Sequence, residues 1–317
     1  MDYKYIIYEK EEEIARIIFN RPDKLNVFDF PSDKGICYEC IQALNRAAED
    51  DDLKVVILKG NGRAFCAGHD LERVFKIYEE WDEKPGERRP SQRARLSTDR
   101  TWMHDLYMNI LLHPKITIAQ VHGYCIGEGM LILEHCDLAI AAEDAHLSHA
   151  EQRLGFGGGG EPSIPLFQTV GYKKARWTLL LGEAMDGIEA ERIGLVSKVV
   201  PADKLEQETE DVARKICLLP KDGIAIGKAS NHLICDIMGL TQGWCQGYLT
   251  HTLFTNLRYE SDEWAFLKDR KNEGARTAFH KRDERYDELK RVSENYDSGM
   301  RGRFKFKGEA AIIKVKE

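Results

Sequence analysis

Three short runs of glycine and small residues carry the chemistry that can be read from this chain. The first lies within Ile116 to Glu151, where a β-branched apolar run, Ile116 to Val121, leads to Gly127-Glu128-Gly129 and then to the apolar run Met130 to Cys136. This pattern predicts a buried strand, a turn and a buried helix beginning near Glu128. A helix that opens on such a turn leaves backbone N–H groups directed out of its N-terminus. The glycines would let a ligand carbonyl approach that backbone. The device suits a phosphate, a carboxylate or a developing oxyanion, and the same residues would equally serve as a tight turn between core elements. The second run is Arg63-Ala-Phe-Cys-Ala-Gly-His-Asp-Leu71, and the third is Gly155-Phe-Gly-Gly-Gly-Gly-Glu-Pro162. Cys37 and Cys40 form a CxxC, but no second CxxC exists, and the pair sits in a helical pattern with Ile36, Ile41 and Leu44. A packing role is therefore expected for both thiols.

The elements that must position these turns alternate in type. Residues 4–19 read as a β-hairpin with a charged turn at Glu9–Glu13, followed by a polar loop, Asn20 to Asn26, and a helix to about Ala48. Val55–Leu58 and Asp137–Ala142 read as further buried strands. Helices are predicted at Tyr172–Leu181, Ile188–Ile193, Lys204–Leu218, Gly223–Met238, Thr241–Tyr259 and Asp262–Asn272, with a short strand in Leu195–Val200. Residues 72–110 are charged, with Trp81, Trp102 and Tyr107 interspersed, and read as an inserted loop between helical pieces; loops of that length are often lids. The expectation is an α/β core over 1–202, a helical region over 203–286 and a charged peripheral tail over 287–317.

Bulk composition narrows the function. The chain has 317 residues, and 46 basic against 53 acidic side chains give a net charge of −7. That balance argues against a general nucleic-acid binder. No apolar run reaches the length of a membrane span, and no signal-peptide core follows Met1. Free cysteines inside apolar runs point to a reducing, cytoplasmic setting.

The motifs together resemble the crotonase (enoyl-CoA hydratase/isomerase) superfamily. The resemblance rests on Asn20-Arg-Pro-Asp-Lys-Leu-Asn26, Ala64-Phe-Cys-Ala-Gly-His-Asp-Leu71, Pro114 to Asp137, Glu151 with its glycine-rich turn, and Gly194-Leu-Val-Ser-Lys-Val-Val-Pro201. It implies a crotonase-like spiral of ββα units, a helical C-terminal region that drives trimers or dimers of trimers, and an acyl-CoA thioester as partner, with no cofactor beyond the CoA moiety of the substrate and no metal. It further implies that the backbone amides of His69 and Glu128 stabilise a thioester enolate. Lys24, Leu25, Arg63, Ala67, Gly68, Asp70 and Gly127 would line the CoA path, with Arg21, Lys24 and Arg63 as candidates for its phosphates; for each of these three taken alone, a solvated surface charge is the favoured reading.

Two departures from the family pattern stand out. The first of the two hydratase glutamates falls where this chain has Leu131, while the second matches Glu151. The usual all-glycine turn reads Gly-Glu-Gly, so the Glu128 side chain must point away from the oxyanion or pair with something, because a carboxylate there would oppose the forming negative charge. Glu161, just past the glycines, could restore a two-carboxylate site or lie on the surface. On an extended segment His149 and Glu151 would share a face. His146 and His149 would face opposite ways there, which argues against a metal pair. The leading expectation is an enoyl-CoA hydratase or isomerase with Glu151 as acid/base, the insert favouring a bulky or cyclic acyl group. A hydrolase of a C–C bond or of the thioester comes next, and a non-catalytic binding protein third.

Overall fold

The computed structural model describes residues 2–29, 35–71, 91–158, 162–253, 257 and 259–293. In chain order its elements are β1 (Ile6–Glu11), β2 (Ile14–Phe19), α1 (Ile36–Glu49), β3 (Val55–Gly60), β4 (Ala64–Cys66), α2 (Gln92–Met103), β5 (Ile116–Val121), β6 (Tyr124–Ile126), α3 (Glu128–His135), β7 (Leu138–Ala142) and β8 (His146–Ser148). Then follow α4 (Ile164–Val170), α5 (Tyr172–Leu181), α6 (Gly187–Arg192), β9 (Lys198–Val200), α7 (Leu205–Cys217), α8 (Lys221–Ile237), α9 (Leu240–Leu253), α10 (Phe266–Glu273) and α11 (Ala275–Ser293).

Two sheets organise the core. The larger runs β1-β2-β3-β5-β7-β9, antiparallel between β1 and β2 and parallel thereafter. Its inner strands are buried almost throughout, which suits their continuous Val, Ile, Leu and Ala content. The smaller sheet is β4-β6-β8, wholly parallel and three residues per strand. Each of β3–β4, β5–β6 and β7–β8 places its first strand in the large sheet and its second in the small one. A helix follows each pair, so the chain advances as a spiral of ββα units.

The hairpin differs from its sequence reading. β1 continues through Glu11, and the turn is confined to Glu12-Glu13, with Glu12 at φ 51°. The expected loop over 72–110 is corrected more substantially. Residues 72–90 lie outside the described residues, but Gln92–Met103 is helical and continues through a wider π turn (His104–Met108) to Leu111. Arg95, Asp99, Trp102, Met103 and Tyr107 are all buried. Asp99 explains why a charged stretch can enter the core. Its carboxylate lies 3.0 Å from Arg95 and 3.2 Å from His251 Nδ1, and it accepts a hydrogen bond from Thr252 Oγ1 at 3.0 Å. Burial would raise its pKa, but the His251 and Arg95 contacts prevail and hold it below the ordinary range. This cluster fastens α2 to α9. Cys37 and Cys40 are buried in α1, and burial pushes both thiols up, which fits the packing role expected of them. No helix among the described residues is long and apolar enough to cross a membrane.

Candidate active site

The three strands of the small sheet all run the same way, and the chain leaves their carboxyl ends at the candidate site. Beyond β4 come Ala67-Gly68-His69; beyond β6, Gly127-Glu128; beyond β8, His149-Ala150-Glu151. Ligand sites of parallel sheets form at such ends. The convergence can be measured at Gly127, which has φ 52° and ψ −107°. A Cβ built there would lie 2.7 Å from Glu151 Oε1 and 3.9 Å from the Gly68 Cα. Both turns and the Glu151 carboxylate therefore face one small space.

The backbone donors follow from the local bonding. Glu128 is the first residue of α3, so its N–H has no acceptor within the helix. Around His69 the chain makes a parallel bridge to Phe28: Phe28 N–H donates to the Gly68 carbonyl at 2.9 Å, and Asp70 N–H donates to the Phe28 carbonyl at 2.6 Å. In that register the His69 N–H points away from Phe28. Gly129 lets α3 sit this close to β4, since a Cβ there would meet the Cys66 carbonyl oxygen at 2.4 Å.

The Glu128 side chain turns away from this space into the protein. It is fully buried, accepts a short hydrogen bond from the Tyr107 hydroxyl, and has Oε2 3.3 Å from His69 Nε2. Burial pushes its pKa up to about 8 against the opposing Tyr107 bond, so it is a neutral acid at neutral pH. Burial likewise lowers His69 to about 4, leaving a neutral imidazole. The ring of His69 meets Trp102 edge-on at 5.7 Å, and Trp102 in turn meets Tyr107 at 5.5 Å.

Glu151 is not on an extended segment. It opens a single 3-10 turn, Glu151–Leu154, separated from the end of β8 by two residues. Its Oε2 lies 3.5 Å from His149 Nδ1, and His149 Nε2 lies 2.7 Å from Glu134 Oε1. Burial alone would raise the Glu151 pKa, but the His149 contact outweighs it and holds the carboxyl below its ordinary value. For His149, burial opposes the charge, yet the two carboxylates prevail and its pKa stands well above the ordinary imidazole value. His146 instead lies edge-on to Tyr124 at 5.5 Å. Glu161 lies outside the described residues.

Several of the expected CoA-path residues meet at the Asn20–Phe28 loop. Asn26 pins this loop: its side-chain amide donates to the carbonyls of Asn61 and Ala64, and its Oδ1 accepts from the Arg21 N–H. Ala67 N–H donates to the Leu25 carbonyl at 3.0 Å. Asp70 lies 3.0 Å from Arg21 and 3.7 Å from Lys24. Arg21 also donates to the Val27 carbonyl, so its charge serves the loop first. Arg63 is exposed, on a turn whose Gly62 abuts Pro22.

Sequence reading missed Glu134, Tyr107 and Trp102. Glu134 had a signal: it is a carboxylate directly after the apolar run Met130-Leu-Ile-Leu133, one turn beyond Leu131. The other two were hidden in the stretch taken as a loop.

Comparison with known proteins matches residues 9–245 to the enoyl-CoA hydratase/isomerase family. The chain belongs to that family. It is 34% identical over 254 residues to a Mycobacterium tuberculosis protein named as an enoyl-CoA hydratase, EchA13, covering 76% of this chain and 77% of that one. It is 32% identical over 230 residues to the hydroxycinnamoyl-CoA hydratase-lyase of Pseudomonas fluorescens, covering 73% of this chain and 78% of that one. Among solved structures, an enoyl-CoA hydratase/isomerase from Xanthobacter autotrophicus Py2 superposes with a TM-score of 0.75 at 29% identity, covering 90% of this chain and 99% of that chain. The spiral described above is thus the crotonase fold.

Proposed function

We propose that this member of the family adds water to the conjugated double bond of a 2-enoyl-CoA thioester, with Glu151 as its acid/base. The observation that carries the reading is the convergence at Gly127, where the Glu151 carboxylate and the Gly68 turn meet the start of α3. Glu151 takes a proton from water as the water oxygen bonds to Cβ, and the π electrons move to the thioester oxygen. The amides of His69 and Glu128 receive that oxygen as an enolate. Glu151 then returns the same proton to Cα, so one water is added and the base is restored. The features that favoured a non-catalytic reading lose force. Glu128 is neutral and turned away from the oxyanion, and the position of Leu131 does not remove Glu151. The CoA arm would follow the Leu25–Asn26 turn and the Ala67–Asp70 segment, with Lys24 and Arg63 toward its phosphates and no other cofactor.

The acyl group is read as aromatic. Trp102 stands against His69, and one relative is named for hydroxycinnamoyl-CoA. That name also favours a second reading, in which hydration is followed by cleavage of the Cα–Cβ bond to an aldehyde and acetyl-CoA. The test is mass spectrometry of linear, cyclic and aryl enoyl-CoA thioesters incubated with the protein. A gain of one water with CoA attached supports hydration, and acetyl-CoA with an aldehyde supports cleavage. Unchanged mass with shifted thioenoate absorbance would mean isomerisation, and free CoA a thioesterase. No turnover across the panel overturns the reading.

A further inference from the structure

We propose that Glu134 and His149 are positioning residues that hold the Glu151 carboxylate ionised and aimed into the space beside the two backbone donors. This rests on the reading of Glu151 as the acid/base. Glu134 and His149 are each about 1% exposed, whereas the Glu151 side chain is 18% exposed and opens to the site. The three are linked in series: Glu134 Oε1 is 2.7 Å from His149 Nε2, and His149 Nδ1 is 3.5 Å from Glu151 Oε2.

An imidazole between two carboxylates faces an acceptor at both nitrogens. A neutral ring carries one N–H and would turn a lone pair toward one of the two. With both carboxyls ionised, only the imidazolium presents a proton to each: the 2.7 Å contact at Nε2 is a hydrogen bond to Glu134, and Nδ1 stands 3.5 Å from Glu151 Oε2 as an ion pair. Charges around the line agree. Near Glu151 stand His149 and His69 from the turn after β4, with the Glu128 carboxyl turned away toward Tyr107; near Glu134 stand His149, Glu151 and the buried thiol of Cys125, and burial pushes the Glu134 carboxyl up while His149 opposes that rise. His69 is neutral and Glu128 protonated at neutral pH. His149 is therefore the cation that keeps a half-buried Glu151 ionised, and Glu134 supplies the fixed partner that keeps His149 charged and oriented. The device suits a site with one carboxylate where Leu131 occupies the other position. The lone base must be ionised before water arrives, although burial favours its protonated form.

Two measurements on the full chain test the proposal. In ¹⁵N-histidine NMR, one of the ten histidines should stay doubly protonated at pH 8. That signal should vanish in His149→Gln and change to a neutral-ring pattern in Glu134→Gln. If no histidine is doubly protonated at pH 8, or if Glu134→Gln leaves the signal unchanged, the proposal is overturned whatever the enzyme's activity. In kinetics on a thioester that the wild type hydrates, His149→Gln should move the acid limb of the kcat/KM profile upward by about one pH unit or more, since an ordinary carboxyl shift of that kind follows loss of a neighbouring cation. An unmoved acid limb with intact fold overturns it while leaving the hydratase reading standing. A wild type that hydrates no thioester overturns the hydratase reading and with it the assigned purpose of the pair, while its charge state is still decided by NMR.

Discussion

A glutamate side chain on the turn proposed to hold an enolate is a contradiction at residue scale, and Glu128 resolves it by burial. Its carboxyl points into the core against Tyr107 and His69, where the neutral form prevails up to about pH 8. The sign of the pH dependence follows. The folded state binds this proton more tightly than the unfolded chain, so stability is lost as pH rises from the ordinary glutamate range through about 8. Glu128→Gln should therefore gain thermal stability relative to the wild type as pH rises from 5 to 8. Melting temperatures of both proteins across that range check it, and a constant difference would refute the buried neutral acid. Ionised Glu128 would also oppose the enolate, so the wild-type rate should fall above about pH 8 and the variant's should not. At Glu151 the stake is larger. Removing a general base typically costs about 10²–10⁴ in rate, so Glu151→Gln should lose that much in kcat on any thioester the wild type hydrates, with KM changed far less. A variant that keeps a tenth of the wild-type rate would remove Glu151 from the chemistry.

At the scale of elements, the site is a property of the small sheet. Two of its strands were not legible in the sequence, because three residues are too few to show a period of two: Ala64–Cys66 and Tyr124–Ile126 read only as parts of turns, while His146–Ser148 does belong to the stretch expected to be extended. The long apolar strands of the large sheet and the helix beginning at Glu128 were legible from continuous hydrophobic runs. The motifs marked the two turns and Glu151, but the line from Glu134 through His149 needed a contact between the end of α3 and the exit of β8, which spacing along the chain does not encode. Helix α2 was misread because its buried ion pairs look like solvated charge until Asp99, Arg95 and His251 are brought together. Gly127 tests the elements as a unit. Its φ of 52° and ψ of −107° suit glycine, and an added Cβ would also meet Glu151. Gly127→Ala should lower kcat by about 10²-fold or more, as loss of an oxyanion donor does, and destabilise the fold by about 1–3 kcal/mol from backbone strain. Denaturant titration and steady-state rates check both; near-wild-type kinetics would mean the turn is a connector only.

The whole molecule leaves one face of its helical region without a partner among the described residues. Helix α8 is fastened by buried Ile224 and by Lys228, which reaches Asp137 at 2.5 Å and the Lys115 carbonyl at 2.9 Å. Away from these two residues, Ile226, Leu233 and Ile237 are 70%, 68% and 87% exposed. Single exposed apolar residues are ordinary, but a row of them along one helix marks a surface that something covers. We propose that further copies of this chain cover it, in a trimer or a dimer of trimers. Light scattering coupled to size exclusion should then give a mass of three or six times 36.3 kDa. Leu233→Glu combined with Ile237→Glu should shift the mass toward one copy, because burying two unpaired carboxylates in an apolar contact costs several kcal/mol. A wild-type mass of one chain would show that this face stays in water. An unchanged oligomer in the double variant would place the contact on another surface, leaving α8 to be explained by something other than assembly.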